Sequence, residues 1–174
     1  MHSRLKGEEI RTETEELQDD LIDQIREGEI GGWIEQDEAQ MVKAVFKLKD
    51  KDAGSIMTPR TEIVMLSADA TLKSAIVTAR DTGHSRIPVY RDTRDEIVGM
   101  FYVKDALDRI VGGQPIDEVP VTDVLRPTYF VPDTKRLDGL MEDMQREKVH
   151  SAIVLDEYGG TAGLVTLEDI LEEV

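Results

Sequence analysis

One strand-to-helix corner is written twice in this chain. Gly163-Leu164-Val165-Thr166-Leu167-Glu168-Asp169 places a glycine, a hydroxyl and a carboxylate around the corner, and about 64 residues earlier Gly99 lies over Gly163 and Asp105 over Asp169. The match extends upstream. His84-Ser85-Arg86-Ile87-Pro88-Val89 lies over His150-Ser151-Ala152-Ile153-Val154-Leu155, and Leu72, Ala75, Ile76 and Ala79 lie over Leu137, Leu140, Met141 and Met144. Further back, Ile56-Met57-Thr58-Pro59 lies over Val124-Leu125-Arg126-Pro127. A duplicated unit of this size exposes an apolar sheet face that it cannot cover alone, so two copies are expected to stack face to face.

Within each copy the pattern reads β-α-β-β-α. In the first, a turn at Asp52 to Arg60 precedes a strand Ile63 to Leu66. A helix from Leu72 to Asp81 is capped by Asp69-Ala70-Thr71 and stopped by Gly83. Strands Arg86 to Tyr90 and Ile97 to Val103 follow, then a helix Lys104 to Val111. The second copy repeats this with strand Tyr129 to Val131, helix Leu137 to Glu147, strands Ser151 to Leu155 and Ala162 to Val165, and helix Leu167 to Val174. The expected fold is α+β. Residues 1–50 form a helical leader, 51–112 the first repeat, 113–120 a breaker-rich linker and 121–174 the second repeat.

Two helices are expected in the leader. Leu17, Leu21, Ile22 and Ile25 give the first its rhythm, ended by Gly28 and Gly31-Gly32, and Met41, Val42, Val45, Phe46 and Leu48 form the apolar face of the second, Glu35 to about Lys49. Trp33 and Ile34 are expected to plug a hydrophobic gap between them, and the dense acidic run to be solvated surface. Met41, Met57, Met65, Met141 and Met144 read as core.

The net charge of −16 excludes nucleic acid as a partner, because such binding requires a basic face. Cysteine is absent, which removes disulfides, thiolate metal sites and cysteine nucleophiles. No phosphate loop or nucleophile elbow occurs, and His2, His84 and His150 have no metal-ligand spacing, so binding is expected rather than catalysis. His84 and His150 are read as packing or hydrogen-bonding residues.

The corner itself supports two readings. Thr166 and Asp169 have the spacing of a capping box with Asp in place of Glu. The same corner presents unpaired N–H groups, a hydroxyl and an acceptor-only carboxylate, which suit the phosphate and ribose of a nucleotide.

Ile56-Met57-Thr58-Pro59-Arg60-Thr61, His84 to Val89, Asp156-Glu157-Tyr158-Gly159-Gly160-Thr161 and Gly163 to Glu172 together resemble a tandem pair of CBS domains, a Bateman module, of the CorC/HlyC/CNNM group of magnesium and cobalt efflux proteins. The resemblance covers roughly residues 15 to 174. It implies an adenine nucleotide, ATP with AMP or ADP as alternatives, in a cleft between the repeats. Asp169 would hold the ribose and Thr166 a phosphate, with Gly163 allowing close approach. Ile63, Ile87 and Pro88 would line the adenine slot, backbone near Ser85 would read its edge, and Thr58 and Arg86 would meet phosphates. Tyr102 stands where the other copy has Thr166, so one competent site is expected, with the corner at Asp105 weak or empty. Given the net charge, Mg²⁺ is expected with the nucleotide, with Arg86 and Arg60 as local cations.

The resemblance further implies a homodimer, and a cytoplasmic module serving a membrane transport domain that lies outside this chain. The competing expectation is a constitutive dimerisation scaffold whose corners never see ligand.

Overall fold

The computed structural model describes the backbone of residues 2–174 and the side chains of residues 16–174. Two helices lead, α1 (His2–Ile30) and α2 (Gln36–Leu48), and a single turn, α3 (Ala53–Ile56), follows them. Gly28 lies inside α1 rather than ending it. Glu35 caps α2 in a capping box with Glu38, as its spacing allows. Lys43 Nζ reaches Glu29 across the pair at 3.2 Å.

The leader is less covered than its pattern suggests. Trp33 is 90% exposed, and Met41, Val42 and Val45 face solvent, while Ala39 and Leu48 are buried. Only Ile34 approaches the role expected of the Trp33-Ile34 pair, packing against Gly28. Among the described residues no helix is long and apolar enough to cross a membrane.

Two sheets follow. The first is ordered β2-β3-β4 from β2 (Leu66–Ser67), β3 (Arg86–Tyr90) and β4 (Ile97–Tyr102). The second is ordered β1-β7-β6-β5 from β1 (Thr58–Pro59), β5 (Phe130–Pro132), β6 (Ser151–Leu155) and β7 (Thr161–Thr166). In both, a parallel pair (β2 with β3, β5 with β6) is joined through a helix, α4 (Leu72–Thr82) or α6 (Leu137–Glu147), and an antiparallel hairpin leads into α5 (Val103–Val111) or α7 (Leu167–Glu172). Thr71 caps α4 and Gly83 closes it at φ 75°, a left-handed conformation open to glycine without strain.

The segment at Ile63 differs from its expected strand. Ile63 is buried but irregular, its carbonyl accepting from Arg94 Nη2 at 2.7 Å, and pairing begins only at Leu66.

Most consequential for the site, the copies exchange their leading segments. Thr58 and Pro59, which begin the first repeat, pair antiparallel with Leu164 and Gly163 of the second. Arg126 bridges back to Met100 of the first, each backbone N–H donating to the other's carbonyl at 2.9–3.0 Å. The cores follow this exchange. Ala53, with the neighbouring Ile56 and Met57, packs among Leu140, Met144, Val165 and Ile170. Val121, with Val124 and Leu125, packs among Leu72, Ile87 and Phe101. Each half therefore needs the other to complete its core.

Candidate functional site

The exchange brings Thr58 across to the second corner and forms a cleft of about 320 Å³ there. Its walls come from both halves: Thr58, Ser85 and Arg86 from the first, Ser151, Thr166 and Asp169 from the second. The volume lies within the usual range of small-ligand pockets.

At the corner the two readings coexist in the same atoms. Thr166 Oγ1 accepts from the Asp169 N–H at 3.2 Å, and Asp169 Oδ2 accepts from the Thr166 N–H at 2.7 Å. This capping box occupies one carboxylate oxygen. Oδ1 has no protein donor among the described residues, and the Thr166 hydroxyl, used only as an acceptor, retains its proton for donation. A ribose hydroxyl and a phosphate oxygen match those two capacities.

Helix α7 ends at Glu172, shorter than its sequence suggests, and six residues carry little of a macrodipole. Positive charge for a phosphate therefore falls to Arg86, whose Nε is buried without a partner. Such an orphan donor is costly unless something occupies it.

Not all the expected residues reach the cleft. Ile87 is fully buried in the first core and Pro88 and Ile63 are buried too, so none of the three forms its wall. Gly163 is also off the wall. A Cβ there would meet Met57 Sδ at 2.5 Å and the Thr58 carbonyl oxygen at 2.6 Å, so the absent side chain makes room for β1, where a ligand was expected. Arg60 is engaged as well, paired at 2.7 Å with Asp95, whose carboxylate also accepts from the Thr161 N–H. Five wall residues lay outside the sequence-based set, Gly83, His84, Ser151, Leu164 and Glu168, the last adding a carboxylate to the wall. Ser151 could have been found from its alignment with Ser85, and His84, expected in packing or hydrogen bonding, is exposed on the wall.

The first corner is built differently. Arg126 stands at the position aligned with Thr58, and its guanidinium grips both oxygens of Asp105 at 2.6 and 2.7 Å. It also lies over the Tyr102 ring, 4.7 Å from the centroid. The chain's own arginine thus takes the acceptor that a ribose would need. Hydrogen bonds from Arg126, reinforced by its charge and that of Lys104, hold Asp105 below the ordinary carboxylate range against the opposing effect of burial. A depressed acid stabilises the fold above its unfolded pKa of about 3.9, and that contribution disappears as pH falls through the folded value. Denaturant melts of wild type and Asp105→Asn should therefore differ at pH 7 and converge as pH falls through the depressed folded value of Asp105. A constant difference across that range would count against the pairing.

Among the described residues no group of three His, Asp or Glu could hold a metal ion. The duplicated halves, exchanged segments and polar inter-repeat cleft define a class: a paired α+β module with a cleft between its halves.

A CBS domain profile matches residues 53–112 and 116–174. The CBS domain of a bacterial CNNM/CorC family Mg²⁺ transporter, solved in complex with ATP, is 42% identical with a TM-score of 0.72, over 79% of this chain and 96% of that one. A CBS-domain pair from Klebsiella pneumoniae with bound AMP is 34% identical with a TM-score of 0.62, over 71% and 97% of the two chains. The magnesium and cobalt efflux protein CorC of Pasteurella multocida is 37% identical over 90% of this chain and 51% of its own length. The chain is a tandem CBS-domain pair and belongs to the CNNM/CorC family. It spans between a quarter and about half of the length of the curated relatives it matches.

Proposed function

We propose that this chain is the nucleotide-sensing module of a divalent-metal transport protein, binding ATP at the second corner, with AMP and ADP as competitors, and carrying no catalytic activity. The observation that supports it most is the cleft itself, lined together by Arg86, by the Asp169 carboxylate with one oxygen left free by the cap, and by the Thr166 hydroxyl with its proton. The ATP and AMP complexes of its relatives support the ligand class. In this reading the ribose sits on Asp169, the phosphates on Thr166, Thr58 and Arg86, and Mg²⁺ offsets the field of a chain with net charge −16.

The route to a transport domain outside this chain would run through α7. Its first turn holds Thr166 and Asp169, while just past its end Glu173 pairs with Lys51, in the segment that follows α2. Leu48 at the end of α2 packs in the same core as Ile170. A nucleotide that favours one seating of α7 would thereby bias the leader, provided its affinity differs between the two seatings. This reading places the module in the cytoplasm as part of a membrane-associated protein. It also pairs two copies through apolar residues left exposed on α5 and at the end of α7, Leu107, Ile110, Val111 and Leu171.

Thermal unfolding with MgATP tests the ligand. At one hundred times Kd the stabilisation is about 2.7 kcal/mol, roughly 5–10 °C for a chain of this size. A smaller shift is expected with ATP and a chelator. No shift at millimolar MgATP would leave the constitutive scaffold as the surviving role.

A further inference from the structure

The first corner is closed to a ribose, yet it opens onto a cavity of about 380 Å³. Arg86, Lys104, Arg126, Lys148 and His150 stand on its wall, in a chain that carries 37 acidic residues against 21 lysines and arginines. Arg126 is neutralised by Asp105, but among the described residues Arg86, Lys104 and Lys148 have no carboxylate within ion-pair distance. An adjoining cavity of about 360 Å³ shares Tyr102, Arg126 and Lys148, and on its wall Thr128 Oγ1 is buried without a hydrogen-bond partner. Glu147, also there, is turned to Arg146 at 3.1 Å.

Lys148 adds an independent sign. It closes α6 at φ 55°, where the other repeat closes α4 with Gly83 at φ 75°, and it is the one non-glycine residue with positive φ among the described residues. A lysine at this φ carries a conformational cost that glycine would not, and the residue lines both cavities.

We propose that this cavity is a second ligand site, taking the phosphate groups of a polyanion and no nucleoside of its own. The ammonium groups of Lys104 and Lys148 and the planar fork of Arg86 supply converging donors for tetrahedral oxyanions. A nucleoside is refused because both oxygens of Asp105 are held by Arg126 and the Tyr102 ring occupies the corner. The phosphates have two sources, a free ion such as pyrophosphate or the terminal phosphates of a nucleotide in the neighbouring cleft, which shares Ser85 and Arg86 with this cavity. The free-anion source needs no nucleotide at Asp169, whereas the nucleotide source rests on the ATP reading given above.

The test is calorimetric, with the full chain as wild type, Asp169→Asn, and Lys104→Ala with Lys148→Gly. Lys148→Gly relieves the left-handed residue, so this variant keeps its fold, checked by its melting temperature. For a free anion, sodium pyrophosphate without nucleotide saturates one site on wild type and Asp169→Asn alike, and the lysine variant weakens it at least about tenfold. For the nucleotide source, the lysine variant weakens ATP at least about tenfold while leaving AMP unchanged. Pyrophosphate that ignores the lysines, or that is lost in Asp169→Asn alone, overturns the proposal. So does the combination of no pyrophosphate binding and equal effects on ATP and AMP.

Discussion

Asp169→Ala abolishes the MgATP thermal shift and lowers the stability of the ligand-free chain, two effects with separate causes in one side chain. Its Oδ2 closes the cap on the Thr166 N–H at 2.7 Å, and losing a cap costs about 1 kcal/mol. Its remaining oxygen is the acceptor offered to the ribose. Hydrogen bonds to a charged group contribute about 1.5–3 kcal/mol each, so losing two ribose contacts weakens ATP at least about 100-fold. Asp169→Asn separates the effects, because an amide oxygen can still accept from the Thr166 N–H while its NH₂ group cannot accept from a sugar. The Asn variant should melt close to wild type and still lose most of the ATP shift. If Asn and Ala variants both kept the wild-type shift, the carboxylate would be a cap and nothing more.

Gly163→Val is expected to damage the fold, because Gly163 is buried in β7 where β1 pairs with it. The clash at 163 is with backbone, the Thr58 carbonyl oxygen at 2.6 Å, as well as with the more adaptable Met57 side chain. Strand β1 must then leave β7, taking Thr58 from the cleft and Met57 from its core. Overpacking at a close contact costs about 1–3 kcal/mol, with Gly163→Ala at the lower end and valine beyond it. Gly139→Ala is the control. A Cβ there meets only the end of Lys135 at 3.5 Å, so a helix-interior alanine should stabilise α6 by up to about 1 kcal/mol. Urea melts of the three variants give the ranking, and a Gly163→Val chain as stable as wild type would contradict the exchanged-strand packing.

The sequence shows some of this directly. Helix α6 and strands β3 and β6 coincide with their expected limits, because the hydrophobic period is clear there. Strand β2 does not coincide, since Ile63 to Leu66 has the composition of a strand but its first residues find no neighbour to pair with. Trp33 looked like a plug only because size and hydrophobicity say nothing about whether a partner lies opposite.

The exchange of leading segments was not visible at all. It rests on a two-residue pairing more than 100 positions apart in sequence, with a pattern no different from that of a turn. The self-occupied first corner was half legible. Tyr102 in place of Thr166 points to it, but Arg126, aligned with Thr58, carries the stronger signal. A guanidinium placed opposite a lone carboxylate in a duplicated site competes with any ligand for it.

Isothermal titration of the wild-type chain with MgATP addresses the asymmetry between the two corners most directly. One nucleotide per chain, with stoichiometry unchanged in Asp105→Asn and binding lost in Asp169→Ala, is the result this account predicts. Two equivalent nucleotides per chain, or one that survives Asp169→Ala and disappears with Asp105→Asn, would contradict it.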